Sequence, residues 1–251
     1  MNILLLMAGG SEAFQEAGYA YPKSLIEIEG LPLIQHVIQS LESLYTSNSK
    51  LICMVRREEN RRSYIGSVIH LISPQAVVIE IEQSTSGAAC TSLLAVEQID
   101  TQEPLVIVNS DQIIETNLSV VLGEFRYKGF DGGIIVFEAV HPRWSYVRCN
   151  SQGLVIEAAE KRPISNLATA GFYYFAKGQD FVNSAKSMIK KDAHISGQFY
   201  VCPVYNEMLL KQAKIGVYKI PRSAYFSLAT PQNLHTYEEY LRHKNTQPSY
   251  A

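Results

Sequence analysis

The sequence predicts a three-layer α/β fold: a mostly parallel, twisted sheet with helices on both faces and a small β lobe added to it. Three observations carry that prediction. Short aliphatic runs at 3–7, 51–55, 77–81 and 105–108 are apolar on both faces, as strands covered by helices on each side must be. Amphipathic stretches alternate with these runs, and a strand–helix–strand rhythm implies parallel pairing through right-handed crossovers. From residue 130 onward the runs become shorter and are split by turn residues, which marks the second lobe.

The elements follow in order. Ile3 to Met7 reads as the first strand and ends at Gly9-Gly10. After Pro32, which suits an early helical position, Leu33, Val37, Ile38 and Leu41 recur at helical spacing. Strands at 51–55 and 77–81 come next, then a helix from Gly87 towards Ile99 with Leu93, Leu94 and Val96 facing inward, then the strand at 105–108. In the second lobe, strands are expected at 132–138, 145–149, 154–158 and 170–175, with Asn150-Ser151-Gln152-Gly153 as a turn. Helices are expected at 178–191, 199–212 and 231–242.

The 251 residues are 47% hydrophobic and 18% charged, enough to bury a sizeable core, which excludes disorder as a description of the whole chain. A net charge of −2 argues against a broad nucleic-acid surface or a polybasic membrane anchor. No apolar run approaches the ~18 residues of a membrane span, and the first run lacks the cationic lead of a signal peptide. Cys53, Cys90, Cys149 and Cys202 lie far apart, as expected of free thiols in a cytoplasmic protein, and the six histidines form no metal-spaced pair. With no repeat and no Pro/Gly/Ser linker, 1–251 reads as one domain, residues 131–251 completing the half built by 1–130.

Ligands of parallel sheets bind beyond the carboxyl ends of the strands, which directs attention to the loops after Met7, Ile81 and Val108. Ala8-Gly9-Gly10-Ser11 lets backbone N–H groups approach a phosphate, with Lys23 near enough in sequence to neutralise it; a plain turn is the simpler reading. Neither the Walker spacing nor GxGxxG is present. Asp111, at the end of the most apolar strand, suits an oxygen-preferring cation or a helix N-cap equally well. Gln83, four residues before Gly87, offers the paired donor and acceptor that match a pyrimidine edge, or is a polar loop residue. Glu160-Lys161 could hold a hydroxyl and a phosphate together, or form an exposed ion pair.

Taken in order, the glycine loop, Pro22-Lys23-Ser24-Leu25, Gln83…Gly87, Asn109-Ser110-Asp111-Gln112, Glu160-Lys161 and Thr230-Pro231 resemble the sugar-phosphate nucleotidyltransferases. The short members of capsule and surface-polysaccharide pathways are particularly similar, through Ile164 to Phe175 and Phe199 to Asn206, and the resemblance covers residues 2 to 241. It implies a Rossmann-like nucleotidyltransferase fold, in which 1–130 binds nucleotide and 131–251 binds substrate. It also implies a reaction: an NTP, pyrimidine favoured, and a phosphorylated sugar, polyol or amino-acid-type molecule give an NDP-linked product and pyrophosphate. On that resemblance Lys23 binds the triphosphate or transition state, and Asp111 and the position of Ser227 hold Mg²⁺. Ala8, Gly9, Gly10, Ser11, Gln83 and Gly87 serve the nucleotide, and Tyr146, Glu160, Lys161, Gly171 and Asn206 the substrate. A homodimer stays open.

Two departures stand out against that family. Its loop carries an arginine where this chain has Ala13, with Glu12 before it, and its second metal aspartate is replaced by Ser227. Tyr146 also stands where a small residue usually meets the sugar ring. The run from Arg56 to Arg62 starts at the ligand end of the second strand and is read as compensation or as a solvated helix face with pairs such as Glu58–Arg62. Arg143 and Trp144 are read as capping a ligand or as a packed loop. Three functions therefore remain: an active nucleotidyltransferase, a family member that binds nucleotide or sugar phosphate with little or no turnover, and a nucleotide-sugar glycosyltransferase. The last is disfavoured because Gln112-Ile113, not a second aspartate, follows Asp111.

Overall fold

The computed structural model describes residues 1–246. Its strands are β1 (Asn2–Leu6), β2 (Glu27–Ile28), β3 (Leu31–Pro32), β4 (Lys50–Arg56), β5 (Val77–Ile81), β6 (Leu105–Asn109), β7 (Gln112–Ile114), β8 (Gly132–Glu138), β9 (Ser145–Cys149), β10 (Val155–Glu160), β11 (Leu167–Phe175), β12 (Ile215–Lys219) and β13 (Tyr225–Ser227). Its helices are α1 (Glu12–Glu16), α2 (Leu33–Ser40), α3 (Arg57–Ser63), α4 (Ile65–Ile72), α5 (Ala88–Leu93), α6 (Val96–Ile99), α7 (Leu118–Tyr127), α8 (Gly178–Lys190), α9 (Val204–Leu209) and α10 (Pro231–Thr246).

The central sheet runs β10-β9-β11-β6-β1-β4-β5, with β8 and β12 continuing beside β11. The strands β5, β4, β1 and β6 pair in parallel, as their two-sided apolar sequences require. Strand β11 runs antiparallel to β6 and β8 and joins the second lobe to the first. The chain leaves β1 for β4 and β5 on one side, then crosses back to β6 on the other. That reversal between β1 and β6 is the switch point at which open α/β sheets form a crevice.

Alternation along the strands divides the core into two layers. Ile3, Leu5, Cys53 and Val55 face α2, α4, α7 and α10. Leu4, Ile52, Met54 and Ile107 face α5, α6, α8 and α9. The cysteines are free thiols, and burial pushes Cys53 up to about 12. Among the described residues, no helix is long and apolar enough to cross a membrane.

The structure corrects three local expectations. The helix expected over 87–99 is broken into α5 and α6. Thr91 and Ser92 hydroxyls donate back to the carbonyls of Gly87 and Ala88, and Leu94 and Ala95 bond three residues back, tightening the turn. Leu94 consequently faces solvent instead of the core. The helix expected from 199 begins only at Val204, because Pro203 disfavours a helical residue before it. Phe199 pairs its backbone with Ser86 and Ala89 instead. The helix face read over the basic run is α3, which buries none of its residues. The sequence reading passed over α4, α7 and β12; α7 is capped by Asn117, whose side chain accepts from the Ser119 and Val120 N–H groups.

Leu4 is wholly buried at the centre of β1. Leu4→Ala is therefore expected to cost about 2–5 kcal/mol, the transfer term plus the cavity left behind. Urea unfolding monitored by circular dichroism measures this, and a loss under about 1 kcal/mol would show the site to collapse freely.

Candidate active site

The crevice at the switch point is built on backbone. Leu6 accepts from the Ser110 N–H at 3.2 Å, and Met7 donates to Met54 at 3.0 Å, so the loops after β1 and β6 diverge from fixed positions. Lys23 opens a 3-10 turn, Lys23–Leu25, immediately after Pro22. Its Nζ donates to Asp111 Oδ2 at 3.1 Å, with the two side chains 10% and 33% exposed. Asp111 is held from the other side by the Leu228 N–H, which donates to its carbonyl at 2.7 Å. Ser227 lies beside it because β13 pairs with β7, Ser227 opposite Gln112.

Two cavities lie close by; Asp111 and Ser227 line one of them, and Lys23 Nζ lies beside Gly9, which lines both. One, about 440 Å³, lies between the glycine loop and the segment after β5, with Ala8, Gly9, Gly10, Gln83 and Gly87 in its wall. Gly87 has φ +107°, and a Cβ there would stand 2.5 Å from the Phe199 carbonyl oxygen, so only glycine fits. The other, about 430 Å³, is walled by Asp111, Glu160, Gly171, Arg143, Trp144 and Ser227 among others. Leu6, Gly9 and Ala88 line both, so the two are adjoining compartments of one crevice.

Gly171 sits where β11 shifts register between Thr169 and Tyr173, at φ +63°. The side chains of Asn109 and Gln112 fill the space a Cβ would need. Gln112 Nε2 is buried without a hydrogen-bond partner. Glu160 is buried and accepts a short hydrogen bond from the Ser145 hydroxyl. Burial raises its carboxyl above the ordinary value, against the pull of Ser145 and the Lys161 charge.

Several expected residues lie elsewhere. Ser11 is buried beneath the loop: its hydroxyl accepts the Lys23 N–H at 3.2 Å and donates to Glu59 at 3.1 Å. Tyr146 is fully buried, its hydroxyl donating to the His141 carbonyl at 2.7 Å, so it belongs to the core and does not line the crevice. Asn206 clamps both backbone groups of Ala158, at 2.9 and 2.8 Å, and lines a third, outer cavity that meets the second at Glu160. Lys161, at φ +52°, donates to the Tyr200 hydroxyl at 3.0 Å and lines that same outer cavity. The Tyr200 bond and the nearby charges raise its pKa.

The sequence reading missed how the basic run is used. No Glu58–Arg62 pair forms among the described residues. Arg56 instead donates Nε to the Ala8 carbonyl at 2.9 Å, Arg57 pairs with Glu80 and Glu82, and Glu59 receives Ser11. The glycine loop is thus strapped to β4 and α3. Arg143 lies 4.5 Å over the Trp144 ring, and Trp144 meets Tyr225 edge-on at 5.5 Å. Apart from the Arg143–Trp144 stack, these contacts join positions distant in sequence, which no local pattern reveals.

A crevice at the reversal of a parallel sheet, a glycine loop after the first strand and a Lys–Asp pair across it define a nucleotide-binding α/β class. Residues 4–208 match the nucleotidyl transferase family model, and the chain belongs to that family. It is 28% identical over 181 residues to the bifunctional protein GlmU of Methanocaldococcus jannaschii, an alignment covering 70% of this chain but only 40% of GlmU. It is 24% identical over 180 residues to the UTP–glucose-1-phosphate uridylyltransferase AglF of Haloferax volcanii, covering 70% of this chain and 72% of AglF. Among solved structures, the nucleoside-diphosphate-sugar pyrophosphorylase of Vibrio cholerae RC9 superposes with a TM-score of 0.81 at 24% identity, covering 96% of this chain and 100% of that one. The inositol-1-phosphate CTP transferase of T. maritima gives 0.75 at 14% identity, covering 100% and 98%. These likenesses establish the expected fold.

A carboxyl raised by folding binds more protons in the folded state than in the unfolded one between its two pKa values. Stability therefore falls as pH rises from the ordinary value of ~4.3 through the raised one. Melting curves of wild type and Glu160→Gln across that window are expected to diverge, the variant gaining relative stability as pH increases. Parallel pH profiles would refute a burial-raised Glu160.

Proposed function

We propose that this chain transfers a nucleoside monophosphate from an NTP to a phosphorylated small molecule, releasing pyrophosphate. The observation that carries the reading is the Lys23–Asp111 pair at 3.1 Å: Asp111 lines one compartment of the crevice, and the Lys23 ammonium lies beside Gly9, which lines both. An oxygen of the acceptor phosphate attacks the α-phosphorus in line; the new P–O bond forms as the bond to the β-phosphate bridging oxygen breaks, and pyrophosphate leaves with the electron pair. The nucleophile is already an anion, so the protein's work is positioning and charge neutralisation.

In this reading residues 1–130 hold the nucleotide and 131–251 the acceptor. The backbone of Ala8, Gly9 and Gly10 approaches the phosphates, while buried Ser11 keeps the loop seated on Lys23. Gln83, with Gly87, reads a pyrimidine edge through its amide. The Lys23 ammonium leaves Asp111 for the polyphosphate and transition state. Glu160 accepts a hydroxyl of the acceptor, Gly171 leaves room for the Asn109 and Gln112 amides beside it, and Lys161 takes its phosphate by releasing Tyr200.

The crevice offers a divalent cation few protein ligands. Among the described residues no group of three or more His, Cys, Asp or Glu could hold a metal alone. Asp111 in the crevice, with the Ser227 hydroxyl in the same wall, fits Mg²⁺ that keeps substrate phosphates and waters as its other ligands. Bound there, Mg²⁺ would neutralise phosphate charge. The named substrates of AglF and of the T. maritima transferase, glucose-1-phosphate and inositol-1-phosphate, support a cyclic sugar or polyol phosphate as acceptor. Resemblance to the short capsule-type members supports use of the product in surface-polysaccharide synthesis.

Ala13 and Ser227 favour a second reading, a member that binds nucleotide with feeble turnover, since each replaces a charged group. The test uses each NTP, Mg²⁺ and a panel of sugar and polyol phosphates, read by pyrophosphate release. Lys23→Ala is expected to lower the rate by roughly 10²–10³-fold, the scale for losing one group that neutralises developing charge. Release unaffected by Lys23→Ala would sink the proposal. NTP binding without release, converted to strong release by Ala13→Arg with Ser227→Asp, would favour the second reading.

A further inference from the structure

The glycine-loop cavity has three charged residues in its wall: Arg56, Glu58 and Glu82. Arg56 is thus the cation among its described lining residues, since the neighbouring Arg57 is engaged by Glu80 and Glu82. The guanidinium is held at one corner, Nε to the Ala8 carbonyl at 2.9 Å. Its Nη1 meets the Glu12 carboxylate at 3.9 Å, too far for a hydrogen bond. The two side chains are 34% and 70% exposed. The Glu12 carboxylate also lies over Gly10, in the space a side chain there would occupy. An anion therefore already rests on the loop, weakly held by the one guanidinium in the cavity.

We propose that Arg56 is the ligand for the distal phosphates of a nucleoside triphosphate in this cavity, and that Glu12 is the anionic occupant those phosphates displace. The inference rests on the nucleotidyltransferase reading and adds the residue that discriminates triphosphate from monophosphate. Guanidinium suits this work: its planar fork presents several N–H donors to phosphate oxygens, and its charge does not depend on pH. Anchorage on Ala8 orients the remaining donors in advance, which lowers the entropy lost on binding. A triphosphate brings several charges and many acceptor oxygens, whereas Glu12 brings one charge at a distance too long for a hydrogen bond. A monophosphate leaves the distal position to Glu12.

Equilibrium titration calorimetry with Mg²⁺, without acceptor, tests this using the four common nucleoside triphosphates and their monophosphates. Arg56→Gln is expected to weaken the preferred triphosphate roughly tenfold or more, the loss of charge-assisted hydrogen bonds. The monophosphate should change by less than about twofold on the same grounds, and Arg56→Lys should recover part of the loss. Glu12 is largely exposed, so Glu12→Gln leaves the fold intact; it should tighten the triphosphate in the presence of Arg56 and have no effect in Arg56→Gln. A simple structural clamp would weaken both nucleotide classes alike, and that result overturns the inference. So does a Glu12→Gln effect that persists without Arg56. Wild type that binds no nucleotide overturns both this and the proposed function, whereas pyrophosphate release from wild type with Arg56 variants of unchanged triphosphate preference overturns the inference alone.

Discussion

The ion pair between Lys23 and Asp111 is the contact on which the crevice depends. It joins residues 88 positions apart, each seated by backbone hydrogen bonds from a third segment: Ser11 under Lys23, Leu228 against Asp111. An ammonium only 10% exposed is costly without a partner, so the carboxylate at 3.1 Å holds the site neutral. That arrangement also makes the pair exchangeable. A polyphosphate that offers the lysine more negative charge, and a cation that offers the aspartate more positive charge, can each replace what the other partner supplied.

The sheet provides the frame for this exchange. The reversal between β1 and β6 spreads two loops apart at one end, and the apolar layers on both faces prevent the strands from closing the gap. Strand β11 extends the frame into the second lobe, and its irregularity at Gly171 is where Asn109 and Gln112 turn their amides towards the second cavity. The polar groups there are paired, Ser145 with Glu160 in a part-buried bond and Thr169 with Tyr173 in a buried one, as polar groups withdrawn from water must be. Gln112 is the exception, with one amide nitrogen unpaired.

Much of the fold was legible because strands buried on both faces must be aliphatic throughout. Ile3, Leu4 and Leu5 could hardly be anything but a central strand. Elements whose identity depends on partners were less so. β12 carries Tyr218 and Lys219 and is a strand because β8 offers it a parallel edge. The break between α5 and α6 comes from hydroxyl groups bonding back along the helix, and the late start of α9 from Pro203. Of the candidate site, the loops that converge were readable from strand ends, and Lys23, Asp111, Gln83, Gly87 and Glu160 do line or join one crevice. Tyr146 does not, since its hydroxyl satisfies the His141 carbonyl, and Asn206 spends its amide on the Ala158 backbone and lines only the outer cavity beyond Glu160.

Local chemistry written along the chain determined which residues form strands, where glycine is required and which segments carry charge, because burial and backbone sterics act on each residue type in nearly the same way everywhere. Tertiary structure alone decided which charges meet. Nothing in the order of residues brings Arg56 to the carbonyl of Ala8, sends Lys161 to Tyr200 or buries Ser11 between Lys23 and Glu59. Hydrogen bonds need donor and acceptor within about 3.5 Å and charges in water are screened beyond about 10 Å, so those partnerships exist only after the packing of the sheet and its helices has set the distances.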